Sequence, residues 1–238
     1  MDKNSTKYIF GFALIVCLIC SFLLTFASQI LKTKQQLNVS LDKKKNILKV
    51  VSLREPLSVK PTNDELLDTY DGKITEVVLN SDGNNVEDML IEDVVKDDGL
   101  LPLYIYKEGD TVVAYAFPVV GQGLWSTLYG YFSIEPDAIT VRGITFYEHG
   151  ETPGLGAEIE KDWFQGNFVG KKIWDVKNSK LQPVAVVKGA VENVISRKDQ
   201  RQYYVDGISG ATITSKGVTE MIDSELKKYE PFFRKVRK

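Results

Sequence analysis

The sequence predicts an α+β fold: an N-terminal transmembrane helix followed by one soluble domain with an antiparallel sheet and flanking helices. Three observations carry this. An uncharged run from Tyr8 to Leu31 is bordered by Lys7 and Lys32. Strand-like runs fill the middle of the chain, bracketed by helical stripes without regular strand–helix alternation. The 238 residues, 43% hydrophobic and 26% charged, suit one domain of ordinary size plus the terminal segment.

At about 1.5 Å rise per residue, a helix over Tyr8–Leu31 more than spans a hydrocarbon core roughly 30 Å thick. A cleaved signal peptide would have a shorter apolar region and a better small-residue cleavage site than Thr25-Phe26-Ala27, so the reading is an uncleaved anchor. Cys17 and Cys20 lie one turn apart within it and are expected as buried structural cysteines. Flanking lysines lie on both sides (Lys3 and Lys7 before, Lys32 and Lys34 after), which leaves the orientation open. Leu31, Leu37, Leu41, Leu48 and Val51 keep a helical spacing among lysines and predict a continuing stalk, ended by Pro56 and Pro61.

Thr62-Asn63-Asp64-Glu65 has capping-box form and starts a short helix through Tyr70. Lys73 to Asn80 reads as a strand closed by Asp82-Gly83. LYIYK and TVVAYAFPV flank Glu108-Gly109-Asp110 as one hairpin, and LYGYFSI and AITVRGITFYE flank Pro136-Asp137 as another. A helical segment over Asp162–Val169 follows. Further strands are expected near Pro183–Val187, Val191–Ser196 and Gln202–Val205. From Ser215 onward, Val218, Met221, Ile222, Leu226 and Tyr229 keep a helical stripe.

Composition excludes several chemistries. Beyond the apolar segment the chain has no cysteine and one histidine, His149, too few N or S ligands for a structural zinc site, a bis-histidine haem or a cysteine-ligated iron–sulfur cluster. Any redox role of the domain therefore requires an organic cofactor. A net charge of −2 does not suggest a nucleic-acid surface. The charge is uneven: Asp82–Asp98 is acidic, and the chain closes on KKYEPFFRKVRK, whose cations complement a helix C-terminus, with contact to anionic lipid or a partner as the sharper alternative.

Three stretches can carry chemistry. DGISGATITS, Asp206–Ser215, lies between a strand and the last helix. Backbone N–H groups at a helix start suit a phosphate, and Gly210 and Ala211 permit close approach. The hydroxyls of Ser209, Thr212, Thr214 and Ser215 can cap the helix or contact a ligand, and spacing alone leaves both open. YEHGETPGLGAEIE, Tyr147–Glu160, holds glycines around Pro153, as a pocket wall or a plain turn would; His149, Glu148 and Glu151 could form an acid–base set or part of a metal site. GQGLWSTLYGY, Gly121–Tyr131, places Trp125 where it could cover a flat ring, although core filling is the expectation. No Walker A, Rossmann or nucleophile-elbow pattern occurs.

Taken together and in order, the apolar segment, GQGLWS, HGETPGLG and DGISGATITS resemble the NqrC family, a subunit of the sodium-translocating NADH:quinone reductase, over essentially the whole chain. The RnfG subunit of the Rnf complex is a related family and the alternative, with a membrane-anchored non-redox binding module as the rival class. The GLWS stretch resembles the quinone reductase subunit more closely. The resemblance implies an FMN-binding domain in which D-x-x-[ST]-G-A-[ST] is the flavinylation signal. Thr212 would then carry FMN through a phosphodiester, made by a separate magnesium-dependent flavin transferase from FAD. Asp206, Ser209, Gly210 and Ala211 fill the other signal positions, and Thr214 and Ser215 are left as caps. Glu151, Thr152 and Leu155 of the ETPGL segment are implied FMN contacts. No catalytic or metal-binding residue is implied; the chain alone is an electron carrier.

It also implies the partners, namely the other members of a six-subunit complex, the transferase transiently, and membrane lipid. Electrons would pass from NADH through this FMN toward ubiquinone, coupled in the whole complex to sodium export. The layout it implies is a cytoplasmic segment 1–7, a transmembrane helix 8–31 in a bacterial inner membrane, a stalk 32–61 and a periplasmic FMN-binding domain 62–238.

Overall fold

The computed structural model describes residues 6–53, 62–94 and 99–237. The expected helix end at Pro56 and Pro61, residues 1–5, the acidic Asp97-Asp98 and Lys238 lie outside the described residues. Two compact units emerge, residues 1–43 and 44–238.

The first unit is helical. Helix α1 runs from Thr6 to Ser52 and so enters the second unit. Within it Tyr8–Lys32 is long and apolar enough to cross a membrane, by length and composition. Cys17 and Cys20 are exposed free thiols rather than buried ones, because among the described residues nothing packs over that part of the helix.

The second unit has a five-stranded antiparallel meander at its centre, in the order β1-β2-β3-β4-β5. It is preceded by α2 (Asn63–Lys73), whose capping box forms as predicted: the Glu65 N–H donates to Thr62 Oγ1, and the Thr62 N–H donates to the Glu65 carboxylate. The strands are β1 (Ile74–Leu79), β2 (Leu101–Glu108), β3 (Thr111–Gln122), β4 (Thr127–Ile134) and β5 (Val141–Glu148). Both predicted hairpins are present.

Side chains alternate across the sheet with period two. Leu103, Phe117, Val119, Phe132 and Ile134 point to one face; Tyr104, Ala114, Ala116 and Tyr131 point to the other. The second face is covered by α2 and by the last turns of α1, where Ile47, Leu48, Val50 and Val51 are buried. The stalk expected over 32–61 therefore contains a stretch that belongs to the packed unit.

After β5 come α3 (Asp162–Gly166), the short pair β6 (Trp174–Asp175) and β7 (Lys180–Leu181), then β8 (Ala185–Val186), α4 (Val191–Val194), β9 (Tyr204–Val205) and α5 (Thr212–Val236). Strands β8 and β9 pair in parallel. The stretch expected as a strand over Val191–Ser196 is a turn of helix instead, because the Asp206 carboxylate accepts the Val191 N–H at 2.7 Å and fixes a helical start. Helix α5 covers the first sheet face through Val218, Met221, Ile222, Leu226, Tyr229 and Phe233. Its basic end is tied down within the domain: Arg234 and Arg237 pair with Glu230, Arg237 lies 3.6 Å from the Trp174 ring centroid, and Lys235 donates to the Asp82 carbonyl.

Candidate functional site

The hairpin of β3 and β4 closes at the Gln122–Thr127 pair, so Gly123–Ser126 forms its tip. Strand β5 pairs with β4 through Tyr129–Glu148, which delivers the ETPGLG loop to the same end of the sheet. Helix α5 starts there too, with Gly217 against the backbone of Gln122. Three segments distant in sequence thus converge.

Glu151 joins them. It is 5% exposed, its Oε1 accepts the Trp125 N–H at 2.9 Å, and its Oε2 accepts the Thr214 hydroxyl. Burial opposes its charge. The Thr214 hydroxyl and the N–H groups of Trp125, Leu124 and Ser126 outweigh that cost and hold the carboxyl below the ordinary glutamate range. The fit needs glycine on two sides: a Cβ on Gly123 would stand 2.5 Å from Glu151 Oε1, and one on Gly156 would stand 2.6 Å from Oε2. The glycines of both loops therefore leave room for a carboxylate of the protein itself.

The other predicted residues take separate places. Thr212 is the first residue of α5 and is exposed. Ala211 is its N-cap and is buried, with no side-chain cap bond. Thr214 and Ser215 do not cap the helix, contrary to expectation: one is committed to Glu151, and the other is buried without a hydrogen-bond partner. Ser209 is exposed, and Gly210 adopts φ 75° and lies against the Leu155 side chain. Thr152 is exposed while its carbonyl accepts the N–H groups of Leu155 and Ala157, both at 3.1 Å. Asp206 holds the α4 start, as described above.

Trp125 does not fill the core but is 69% exposed, because the loop backbone is drawn inward by Glu151 and the indole turns out. Leu124, Leu155 and Ile213 are exposed as well, so the three joined segments present an apolar surface around the α5 start. His149 places Nε2 3.5 Å from Glu160 Oε2, and its Nδ1 accepts the Glu151 backbone N–H at 3.3 Å. It does not group with the side chains of Glu148 and Glu151 as a metal would require; among the described residues no such group occurs.

A groove of about 290 Å³ opens beside Thr212. Thr212, Ser215, Lys216 and Thr219 form one wall at i, i+3, i+4 and i+7 of a single helix face, and Val186–Lys188 form the other. Lys188 had no local signal in the sequence, since only the fold brings it to α5. A larger cavity of about 360 Å³, bounded by Lys172, Trp174, Asp175 and Tyr203, includes none of the motif residues.

An antiparallel sheet crossed by a helix that begins at an uncapped hydroxyl loop, behind an apolar N-terminal helix, defines a class: residues 123–227 match the family model of the FMN-binding domain. The NqrC subunit of the Na⁺-translocating NADH-quinone reductase of Haemophilus ducreyi is 34% identical over 236 residues, covering 91% of this chain and 88% of that one. Its Vibrio anguillarum counterpart is 32% identical over 256 residues, covering 99% and 97%. The crystal structure of the corresponding Parabacteroides distasonis subunit has a TM-score of 0.71 and 35% identity, over 85% of this chain and 96% of that chain. The chain belongs to the NqrC family of Na⁺-translocating NADH-quinone reductase subunits.

Proposed function

We propose that this chain is the FMN-carrying subunit of a sodium-translocating NADH:quinone reductase, with FMN joined to Thr212 by a phosphodiester. The accessibility of the four hydroxyls in DGISGATITS carries the residue assignment. Thr214 and Ser215 are buried, Ser209 precedes the helix, and Thr212 alone combines an exposed hydroxyl with the first helical position. An uncapped helix start favours a phosphate anion through its unpaired N–H groups and dipole. The residues around it suit the rest of the cofactor: Leu124, Trp125, Leu155 and Ile213 offer apolar surface to a flat aromatic ring.

FMN supplies the electron-transfer chemistry when bound. The chain supplies the bond, the surface and the fixed position. Loading forms one bond from Thr212 Oγ1 to the FMN phosphorus and breaks the pyrophosphate bond of FAD. AMP leaves, and the hydroxyl proton passes to a base. A threonine hydroxyl is a poor nucleophile without activation. Glu151 is committed to Thr214 and provides no base for Thr212, which suits modification by a separate flavin transferase. The remaining subunits of the complex, and lipid around Tyr8–Lys32, are the lasting neighbours, and the domain faces the periplasm.

Co-expression with a flavin transferase, followed by a denaturing gel viewed for flavin fluorescence, tests this. The wild-type band is expected to glow, Thr212→Ala to be dark and Thr214→Ala to keep its flavin. A dark wild type, or an equally bright Thr212→Ala, overturns the reading. Protease protection of the domain in intact cells, lost in spheroplasts, is the expected result for a periplasmic domain.

A further inference from the structure

Ser215 and Lys188 both line the groove beside Thr212, and among the described residues neither side chain has a hydrogen-bond or ion-pair partner. Ser215 is 4% exposed and its hydroxyl oxygen makes no hydrogen bond. Buried hydroxyls are paired in the large majority of cases, so this one points to an absent acceptor or donor. Neighbouring Thr219 does not serve: its Oγ1 accepts the Val186 N–H at 2.9 Å and donates to the Ser215 carbonyl oxygen at 3.1 Å, and no bond joins it to the Ser215 hydroxyl. Ser215 stands one turn beyond Thr212 on the same helix face.

Lys188 is exposed, and among the described residues no carboxylate pairs with it. Lys216, on the helix wall, pairs with Glu220 at 3.3 Å. The backbone carrying Lys188 is stitched to the residues just ahead of Thr212. The Val187 N–H donates to the Val205 carbonyl at 3.0 Å, and the Gly207 N–H donates to the Gly189 carbonyl at 2.9 Å. Asp206 holds the far side of the same turn through the Val191 N–H. The opening Asp-Gly of the motif thereby sets where the ammonium group can reach.

We propose that Ser215 and Lys188 form a two-point seat for the phosphoryl oxygens of the group joined to Thr212. The Ser215 hydroxyl donates to a non-bridging oxygen, and the Lys188 ammonium neutralises the phosphodiester charge, adding to the helix start that already favours an anion. Asp206 and Gly207 are positioning residues that act through the Lys188 turn. This inference rests on the flavin reading above and adds two contacts to it.

The test uses the full chain with a flavin transferase and FAD, following covalent loading by intact-protein mass and the loaded product by ³¹P NMR. Lys188→Met and Ser215→Ala are each expected to load about tenfold more slowly, with Lys188→Arg restoring most of the rate. Both loaded variants are expected to show a ³¹P resonance moved from its wild-type position. Wild-type rates with unmoved resonances overturn the seat and leave the flavin reading standing. Slow loading with unmoved resonances assigns the residues to the transferase footprint and also overturns it. A wild-type chain that takes no flavin overturns the flavin reading itself. Ser215→Ala removes one oxygen from a helical position and keeps the fold, so it decides the matter if Lys188→Met misfolds.

Discussion

At the scale of single residues, Glu151 organises the site more than any member of the hydroxyl motif. Its carboxylate collects the Trp125 N–H and the Thr214 hydroxyl from segments 26 and 63 residues away. Because its folded-state titration is held low, it contributes stability above the ordinary glutamate pKa and loses that contribution as the pH falls through the depressed value. Glu151→Gln is expected to cost about 2 kcal/mol near neutrality, since the charge-assisted bonds from the Trp125 N–H and the Thr214 hydroxyl become neutral ones. Urea unfolding at neutral and acid pH should show the wild type losing this margin on acidification and the variant losing less. An equal loss in both would rule out the bracket. None of this was legible in the sequence, where Glu151 reads as a ligand contact. Hydrogen bonds across such separations leave no local pattern, and the same bonds explain why Trp125, expected inside, points outward.

At the scale of elements, local chemistry spoke more clearly. The hairpins around Glu108-Gly109-Asp110 and Pro136-Asp137 follow from period-two alternation ended by turn residues. The α2 start follows from four adjacent residues. Val191–Ser196 misleads because its β-branched residues favour a strand, while the decisive group, the Asp206 carboxylate, comes from beyond the segment. Helix α5 rests on β3 at Gly217, where a Cβ would come 2.1 Å from the Gln122 carbonyl oxygen. Gly217→Ala must therefore lift the helix start from the sheet. A loss of about 2–3 kcal/mol is expected, with slower flavin loading as the groove walls part. Thermal melts and the mass assay measure the two effects.

At the scale of the whole molecule, the sheet of the second unit is buried on both faces, by α5 on one and by α2 with the end of α1 on the other. The end of α1 is fixed by more than packing: buried Arg142 donates to the Val51 carbonyl and pairs with Glu135 at 3.0 Å. Burying Ile47, Leu48, Val50 and Val51 is worth roughly 1.5–3 kcal/mol each, a sum comparable with the roughly 5–15 kcal/mol that holds a domain together. A chain beginning at Lys44 is expected to fold and show a cooperative melt. One beginning at Thr62, the boundary that the sequence suggests, is expected to aggregate or melt without cooperativity. If both melt alike, those four side chains are dispensable. Lys49 among them and Lys43, Lys44 and Lys45 before them disguise this stretch as a solvated stalk, and only the tertiary partner on the sheet shows otherwise.

The bracket at Glu151 is made wholly of protein groups, so nothing in it waits for a cofactor. The fold around it is expected to form before any group is attached at Thr212, so that folding and the proposed loading are separate events in time. Under the proposed attachment at Thr212, newly made chains are expected to accumulate folded and unmodified, in numbers set by the supply of FAD and transferase.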